Sequence, residues 1–376
     1  MYILNNYHIY LNDKIEVKII TGESLNNYMF KKTVNIFSFN FVILADILKH
    51  IIWYLKNRKL MDSINDFKSK CKLADTILFS NLPIDAVYYS YWASSDALTL
   101  AILKYKLSSS LTVSRLHAFD IYEDGDNKGY IPWRKFIYGK IDHLVTISKH
   151  GLAYLNLKYN FTSNKTKNYY LGIDQENKSL NNFDLTNKMT VVSCGWVGKR
   201  KNIGGIFTAL KYEKNIEWFH FGDGEDFDNL KQLINNISNF NLKVNIVGKS
   251  NNRDILKFYS DFPISCFLSL STNEGLPVSM MEAMAFGIPI VSTNVGGCSE
   301  IVNENTGVLL PDNYTDQDVI DAIKLCAEKF SSYEARKRIQ DECKEKFDAK
   351  KNYDKFIDFL IEENNKFHKK RKNEEL

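Results

Sequence analysis

At 376 residues the chain exceeds one ordinary hydrophobic core and suits two domains. Its 44% hydrophobic and 25% charged residues are those of a soluble globular protein, which excludes a disordered one. The net charge of +4 is uneven: residues 1–187 carry 23 Lys and Arg against 17 Asp and Glu, the remainder 26 against 28. A basic first half suits an anionic surface or substrate, and with no Lys/Arg run interleaved with aromatics, nucleic-acid binding is not expected.

Short apolar runs alternate with helix-length stretches, at 16–21, 86–89, 111–114, 144–148, 190–194, 216–221, 244–247, 264–269 and 288–292. This alternation predicts an α/β protein, with parallel sheets covered by helices. Between the first two runs, residues 41–55 are largely apolar but interrupted by Asp46, Lys49 and His50. The uninterrupted part is far short of the ~20 residues a spanning helix needs. An amphipathic helix is predicted there, followed by Lys56, Arg58, Lys59, Lys68, Lys70 and Lys72. Either it packs on the core with a solvated outer face, or it docks on anionic lipid head groups. The polar stretch from Asp174 to Lys188 is the expected domain boundary, and Asn364 to Leu376 a frayed helix end or basic tail. The six cysteines form no Cys-x-x-Cys pair and no basic leader opens the chain, so a cytoplasmic location is expected.

The richest stretch follows the run at 264–269. There Ser271-Thr272-Asn273-Glu274-Gly275-Leu276-Pro277 leads into a helix predicted to start near Pro277 and end at Gly287. A helix N-terminus at the carboxyl edge of a sheet favours an anion such as a diphosphate, and Gly275 lets the backbone approach a ligand. Glu282 lies among Val278, Ser279, Ala285 and Phe286, on no charged face. Such a carboxylate is costly unless hydrogen-bonded. A ribose diol would serve; a half-exposed surface glutamate is the plainer alternative. A second candidate is Gly195-Trp196-Val197-Gly198-Lys199-Arg200-Lys201, where a strand ends at a glycine and cations precede a helix. By pattern alone such a cluster is solvated surface. Gly222-Asp223-Gly224 and Gly248-Lys249 mark two more strand ends. In the first half, Arg115, His117 and Asp120 follow the run at 111–113. Asp124-Gly125-Asp126 reads as a turn, and no His/Cys/Asp cluster has metal-ligand spacing.

Glu274 and Glu282 make an E-x7-E pair, followed by Gly287-Ile288-Pro289-Ile290-Val291, Val295-Gly296-Gly297 and Glu300-Ile301-Val302. In these segments the chain resembles the retaining GT-B glycosyltransferases of family four, in their bacterial exopolysaccharide, capsule and lipopolysaccharide branch. The resemblance covers about residues 86 to 347. It implies two Rossmann-like domains facing a cleft: an acceptor-side domain at 1–180 and a nucleotide-sugar donor domain at 188–347. A helix at 348–376, ending in a basic tail, would cross back to the first. By the same resemblance Glu282 binds the donor ribose, Glu274 touches the transferred sugar, and the backbone at Gly275, Leu276 and Pro277 holds sugar hydroxyls or phosphate. Lys201 falls on the family lysine that meets the diphosphate. Trp196, just after Gly195, replaces the family arginine, leaving Lys199 or Arg200 to supply that charge. Gly248 and Lys249 would lie near the nucleobase, and His117 would face the sugar or the leaving phosphate.

The implied reaction moves a hexose, with retention, from a UDP- or GDP-sugar to a glycan or polyprenyl-diphosphate-sugar acceptor at the inner face of the cell membrane. Glu274, His117 and Lys201 form the catalytic set, and no metal or other cofactor is expected. Arg115 and Asp120 are candidates to steer the acceptor. Tyr88, Tyr89, Tyr91, Trp92, Tyr130 and Trp133 either stack on sugars or fill the core. The chain departs from the family at Trp196 and at its start, where no glycine precedes Gly22. Either the family's first strand and Gly-rich loop are missing, or Met1-Tyr2-Ile3-Leu4 is a remnant that pairs elsewhere. These departures keep open a non-catalytic nucleotide-binding or partner subunit; a nucleotide-sugar epimerase is the other alternative.

Overall fold

The computed structural model describes residues 2–4, 18–20, 40–79, 86–106, 110–124, 128–176, 178–181, 188–237 and 241–374. The chain divides into two compact units, Met1–Tyr169 with Tyr353–Leu376, and Tyr170–Asn352.

In the first unit six parallel strands lie in the order β2-β1-β3-β4-β5-β6. They are β1 (Tyr2–Leu4), β2 (Lys18–Ile20), β3 (Val87–Ser90), β4 (Leu111–Leu116), β5 (His143–Thr146) and β6 (Thr166–Asn168). The first strand is thus not missing: Tyr2–Leu4 pairs with β2 on one side and β3 on the other. A short apolar triplet suffices for a strand slot. The lack of glycine bears on the loop that follows, and residues 5–17 lie outside the described ones.

The helices of this unit begin with α1 (Asn40–Asn57), α2 (Leu60–Phe79) and α3 (Ser95–Lys106). α4 (Ala118–Ile121), α5 (Arg134–Lys140) and α6 (Lys149–Tyr159) follow. Phe67, Cys71, Ala74 and Ile77 on α2 recur at helical spacing and bury themselves with Leu98, Ala101 and Ile137. A second core cluster joins Val87, Tyr89, Val113 and Val145 of the strands to Phe356, Phe359 and Leu360.

The second unit has the strand order β12-β11-β10-β7-β8-β9, again all parallel. The strands are β7 (Met189–Cys194), β8 (Ile216–Phe221), β9 (Lys243–Gly248), β10 (Cys266–Ser269), β11 (Ile290–Thr293) and β12 (Gly307–Leu310). Between them run α7 (Ile203–Leu210), α8 (Phe227–Asn236), α9 (Asn252–Asp261), α10 (Val278–Met284) and α11 (Cys298–Ile301). α12 (Asp316–Lys329), α13 (Tyr333–Lys346) and α14 (Ala349–Glu374) complete the chain. Strand β7 comes first and sits in the middle, with β8 and β9 to one side and β10 to β12 to the other. Connections leave β7 and β10 in opposite directions, which opens a crevice at their carboxyl ends.

The unit boundary falls at Tyr169/Tyr170, ahead of the polar stretch at 174–188. That stretch is no solvated linker at Asn181, which is buried. Asn181 donates to the Tyr259 and Phe262 carbonyls at 2.6 and 2.7 Å and accepts from Arg336 at 3.1 Å. Residues 182–187 lie outside the described ones. The basic end is not frayed up to Glu374 either, because α14 continues through it.

Candidate functional site

In the second unit the loops after β7, β10 and β11 are laced together by backbone contacts. Thr272 N–H donates to the Arg200 carbonyl at 2.8 Å, and the Thr293 hydroxyl to the Ser271 carbonyl at 2.6 Å. Gly297 N–H donates to the Gly275 carbonyl at 3.1 Å. Gly296 makes this approach possible: at φ +53 a Cβ there would lie 1.7 Å from the Glu274 carbonyl oxygen. Gly222 plays the same part between β7 and β8, where a Cβ would lie 1.9 Å from the Gly195 oxygen.

These contacts hold Glu274 buried at the carboxyl end of β10. Its Oε1 accepts from Lys201 Nζ at 2.6 Å, and Arg200 Nη1 stands 3.5 Å from Oε2. Two cations beside one carboxylate leave the cluster net positive. Lys199 is exposed and Arg200 half-buried, so of the two candidates for the missing family charge the fold turns Arg200 to the carboxylate. Trp196 is exposed, and its Nε1 donates to Glu225 at 2.9 Å.

The helix after this loop begins at Val278, with Pro277 as its extended N-cap, and its regular part ends at Met284. It is therefore shorter than the run to Gly287 predicted from sequence, because Ala285, Phe286 and Gly287 turn the chain toward β11. Glu282 on α10 is half-buried, and burial raises its carboxyl above the usual range. It is not left alone: Asn252, the first residue of α9, donates to its Oε1 at 2.7 Å. Asn252 went unnoticed in the sequence because an asparagine opening a helix carries no other signal. Gly248 ends β9 at φ +81, and Lys249 after it is exposed.

Beneath Gly195 lies a polar chain that sequence reasoning also missed. Trp218 Nε1 donates to the Ser193 hydroxyl at 2.9 Å, which in turn meets His220 Nδ1 at 2.9 Å. Burial pushes the His220 imidazole down to about 4, so it is neutral at pH 7. The sequence clue was spacing: Ile216, Trp218 and His220 are two residues apart and so share one face of β8.

His117 belongs to the first unit, where it caps α4 and its N–H donates to Asp120 Oδ2 at 3.0 Å. Its ring packs on Trp92 at 3.9 Å between centroids and on Tyr91 at 4.9 Å, with Nε2 3.2 Å from the Tyr91 carbonyl. A carbonyl only accepts, which puts the ring proton on Nε2. Burial first, and the Arg115 charge second, push the imidazole down to about 3. At pH 7 the ring is therefore neutral, and any contact it makes with a sugar or phosphate is a hydrogen bond without charge.

Arg115 and Asp120 are not placed to steer an acceptor, because both are fully buried. Arg115 lies 4.4 Å from the Phe356 ring centre. Asp120 stands 3.6 Å from Arg134 while capping its own helix. Of the six aromatics, Tyr88, Tyr89, Tyr130 and Trp133 are buried, whereas Tyr91 and Trp92 are half-buried against His117. Gly125 and Asp126 lie outside the described residues, and among those described no three His, Cys, Asp or Glu side chains gather as metal ligands.

Residues 174–346 match the family model described as glycosyl transferases group 1. The O-antigen biosynthesis glycosyltransferase WbnH of Escherichia coli is 33% identical over 95 residues, 25% of this chain and 25% of its own length. The match thus spans about a quarter of that relative. An uncharacterized glycosyltransferase of Methanocaldococcus jannaschii is 26% identical over 73% of both chains. Among solved structures, Anabaena HepE in complex with UDP and glucose superposes with a TM-score of 0.64 at 16% identity, covering 92% of this chain and 86% of that one. At this identity the likeness concerns fold: each unit has the α/β architecture of the GT-B glycosyltransferases.

Proposed function

We propose that this chain, whose residues 174–346 match the model of glycosyl transferases group 1, transfers a hexose, with retention, from a nucleoside diphosphate sugar during cell-surface polysaccharide synthesis. The observation that carries the reading is Glu274, buried at the switch point of the second sheet with Lys201 at 2.6 Å and Arg200 at 3.5 Å. In the reaction the bond between the anomeric carbon and the diphosphate oxygen breaks, and its electron pair leaves with the nucleotide. The acceptor hydroxyl bonds to the same carbon and gives up its proton. Charge grows on the leaving oxygen, where Lys201, Arg200 and the first amides of α10 can hold it. Glu274 keeps the two cations in place and faces the transferred sugar. Glu282, already able to accept a hydrogen bond as it does from Asn252, takes the ribose hydroxyls. The HepE neighbour binds UDP and glucose, which favours a UDP-sugar as donor. No metal is called on, since the diphosphate meets protein cations instead. The acceptor is a glycan or polyprenyl-diphosphate sugar, met at the inner face of the cell membrane.

Trp196 favours one other reading, a nucleotide-binding subunit without turnover, because its indole is held by Glu225 where the family has an arginine. A screen of nucleotide sugars for thermal stabilisation separates the outcomes. A ligand at about a hundredfold its dissociation constant adds ~2.7 kcal/mol, and Glu282→Ala should lose most of it. Undiminished stabilisation in that variant sinks the donor-site reading. Binding without release of nucleoside diphosphate, even with a membrane extract as acceptor, favours the non-catalytic subunit.

A further inference from the structure

We propose that the outer face of α1 is a docking surface for anionic lipid. α1 is kinked at His50: Leu44 and Leu48 lie one turn apart before the kink, and Ile52 and Leu55 one turn apart after it. These four are 54%, 65%, 78% and 64% exposed. Met61, at the start of α2, adds a fifth exposed apolar side chain to the same stretch. α3, by contrast, buries Leu98, Leu100, Ile102 and Leu103. On α1 the inward side is taken by Tyr54, fully buried, by Val42, Ile43 and Ile47, partly buried against the core, and by half-buried Asp46.

The charges decide what kind of surface would meet these exposed side chains. Asp46 is the only acid between residues 42 and 61, and it accepts from the Tyr54 and Tyr130 hydroxyls at 2.8 and 2.5 Å. The helix's one negative charge is thereby turned inward. Lys49 and Lys56, and Arg58 and Lys59 after them, are all exposed. Exposed apolar side chains bordered by Lys49, Lys56, Arg58 and Lys59, with Asp62 at the far end 3.7 Å from Lys59, match the acyl boundary and head groups of an anionic bilayer. The helix would lie on such a surface, as no helix among the described residues is long and apolar enough to cross a membrane. Its biological use rests on the lipid-linked acceptor proposed above. The docking is tested without donor or acceptor, so each can fail separately.

The full chain is sedimented with vesicles of phosphatidylglycerol and phosphatidylcholine, and with vesicles of phosphatidylcholine alone. Binding to the anionic vesicles, weakened by salt, is expected. Leu48→Glu with Ile52→Glu should lower it at least tenfold while the melting curve stays unchanged, since both side chains are exposed. Lys49→Gln and Lys56→Gln should each lower it about fivefold on anionic vesicles. The proposal falls if the native chain stays in the supernatant, or if the double glutamate variant sediments as well as the native chain. It also falls if the native chain is a dimer that this variant splits, with no vesicle binding, for this face is then a contact between copies.

Discussion

Glu274 and Asp120 each follow the carboxyl end of a strand, are buried, and have an arginine within 4 Å, yet they are neutralised in different ways. Asp120 caps its own helix through the His117 N–H, faces Arg134 from α5, and burial raises its carboxyl. Glu274 meets Lys201 and Arg200, which arrive on a loop from a different strand. A carboxylate bound into its own helix cap is committed to the fold. One that borrows cations from a neighbouring loop brings positive charge to a strand end, where a ligand's anion can share it. Sequence made Glu274 a catalytic candidate and Asp120 a candidate to steer the acceptor; their partners tell them apart.

Arg134→Ala tests the structural half of that contrast and should have the largest effect. It leaves Asp120 buried without its partner, at a cost of about 3–5 kcal/mol in urea unfolding. Stability within about 1 kcal/mol of the native chain would show Asp120 already neutralised by its cap. Lys201→Ala tests the other half: turnover on a nucleotide sugar should fall roughly 100- to 1,000-fold. A loss of stability with turnover per folded molecule intact would make Glu274 as structural as Asp120.

A third test concerns the neutral side of the first unit. The His117 imidazole is depressed to about 3 from an ordinary value near 6.5, so the unfolded chain binds a proton there more readily than the folded one. Its stability contribution is complete above pH 6.5, declines as pH falls below it, and is gone once pH passes the folded value. Between pH 7.5 and pH 5 this costs about 2 kcal/mol. His117→Asn, which keeps a good N-cap, should remove most of that loss in paired urea titrations. The residual slope reports the other imidazoles that burial lowers: His220, held at about 4, with His143 and His50. Smallest of all is Arg200→Ala. At 3.5 Å and 39% exposed its ion pair is worth under about 1 kcal/mol, so nucleotide affinity should drop less than fivefold.

Much of this molecule was open to reading from the chain alone. Alternating apolar runs announce parallel sheets because both faces of such a sheet must be covered, and strand-ending glycines mark the ends where ligands gather. The spacing from Glu274 to Glu282, with Pro277 between, by itself puts two carboxylates around a helix start. The tertiary structure alone decided which polar groups meet. Asn252 reaches Glu282 from a helix thirty residues away, Arg200 rather than Lys199 turns to Glu274, and Arg115 lies on Phe356 in the core. It also decided that Asn181 ties the second unit together and that Leu44, Leu48, Ile52 and Leu55 of α1 face outward. Local pattern follows from backbone geometry, which each residue carries with it. A side chain's partner depends on which distant segments packing brings within 3 Å, and no periodicity records that.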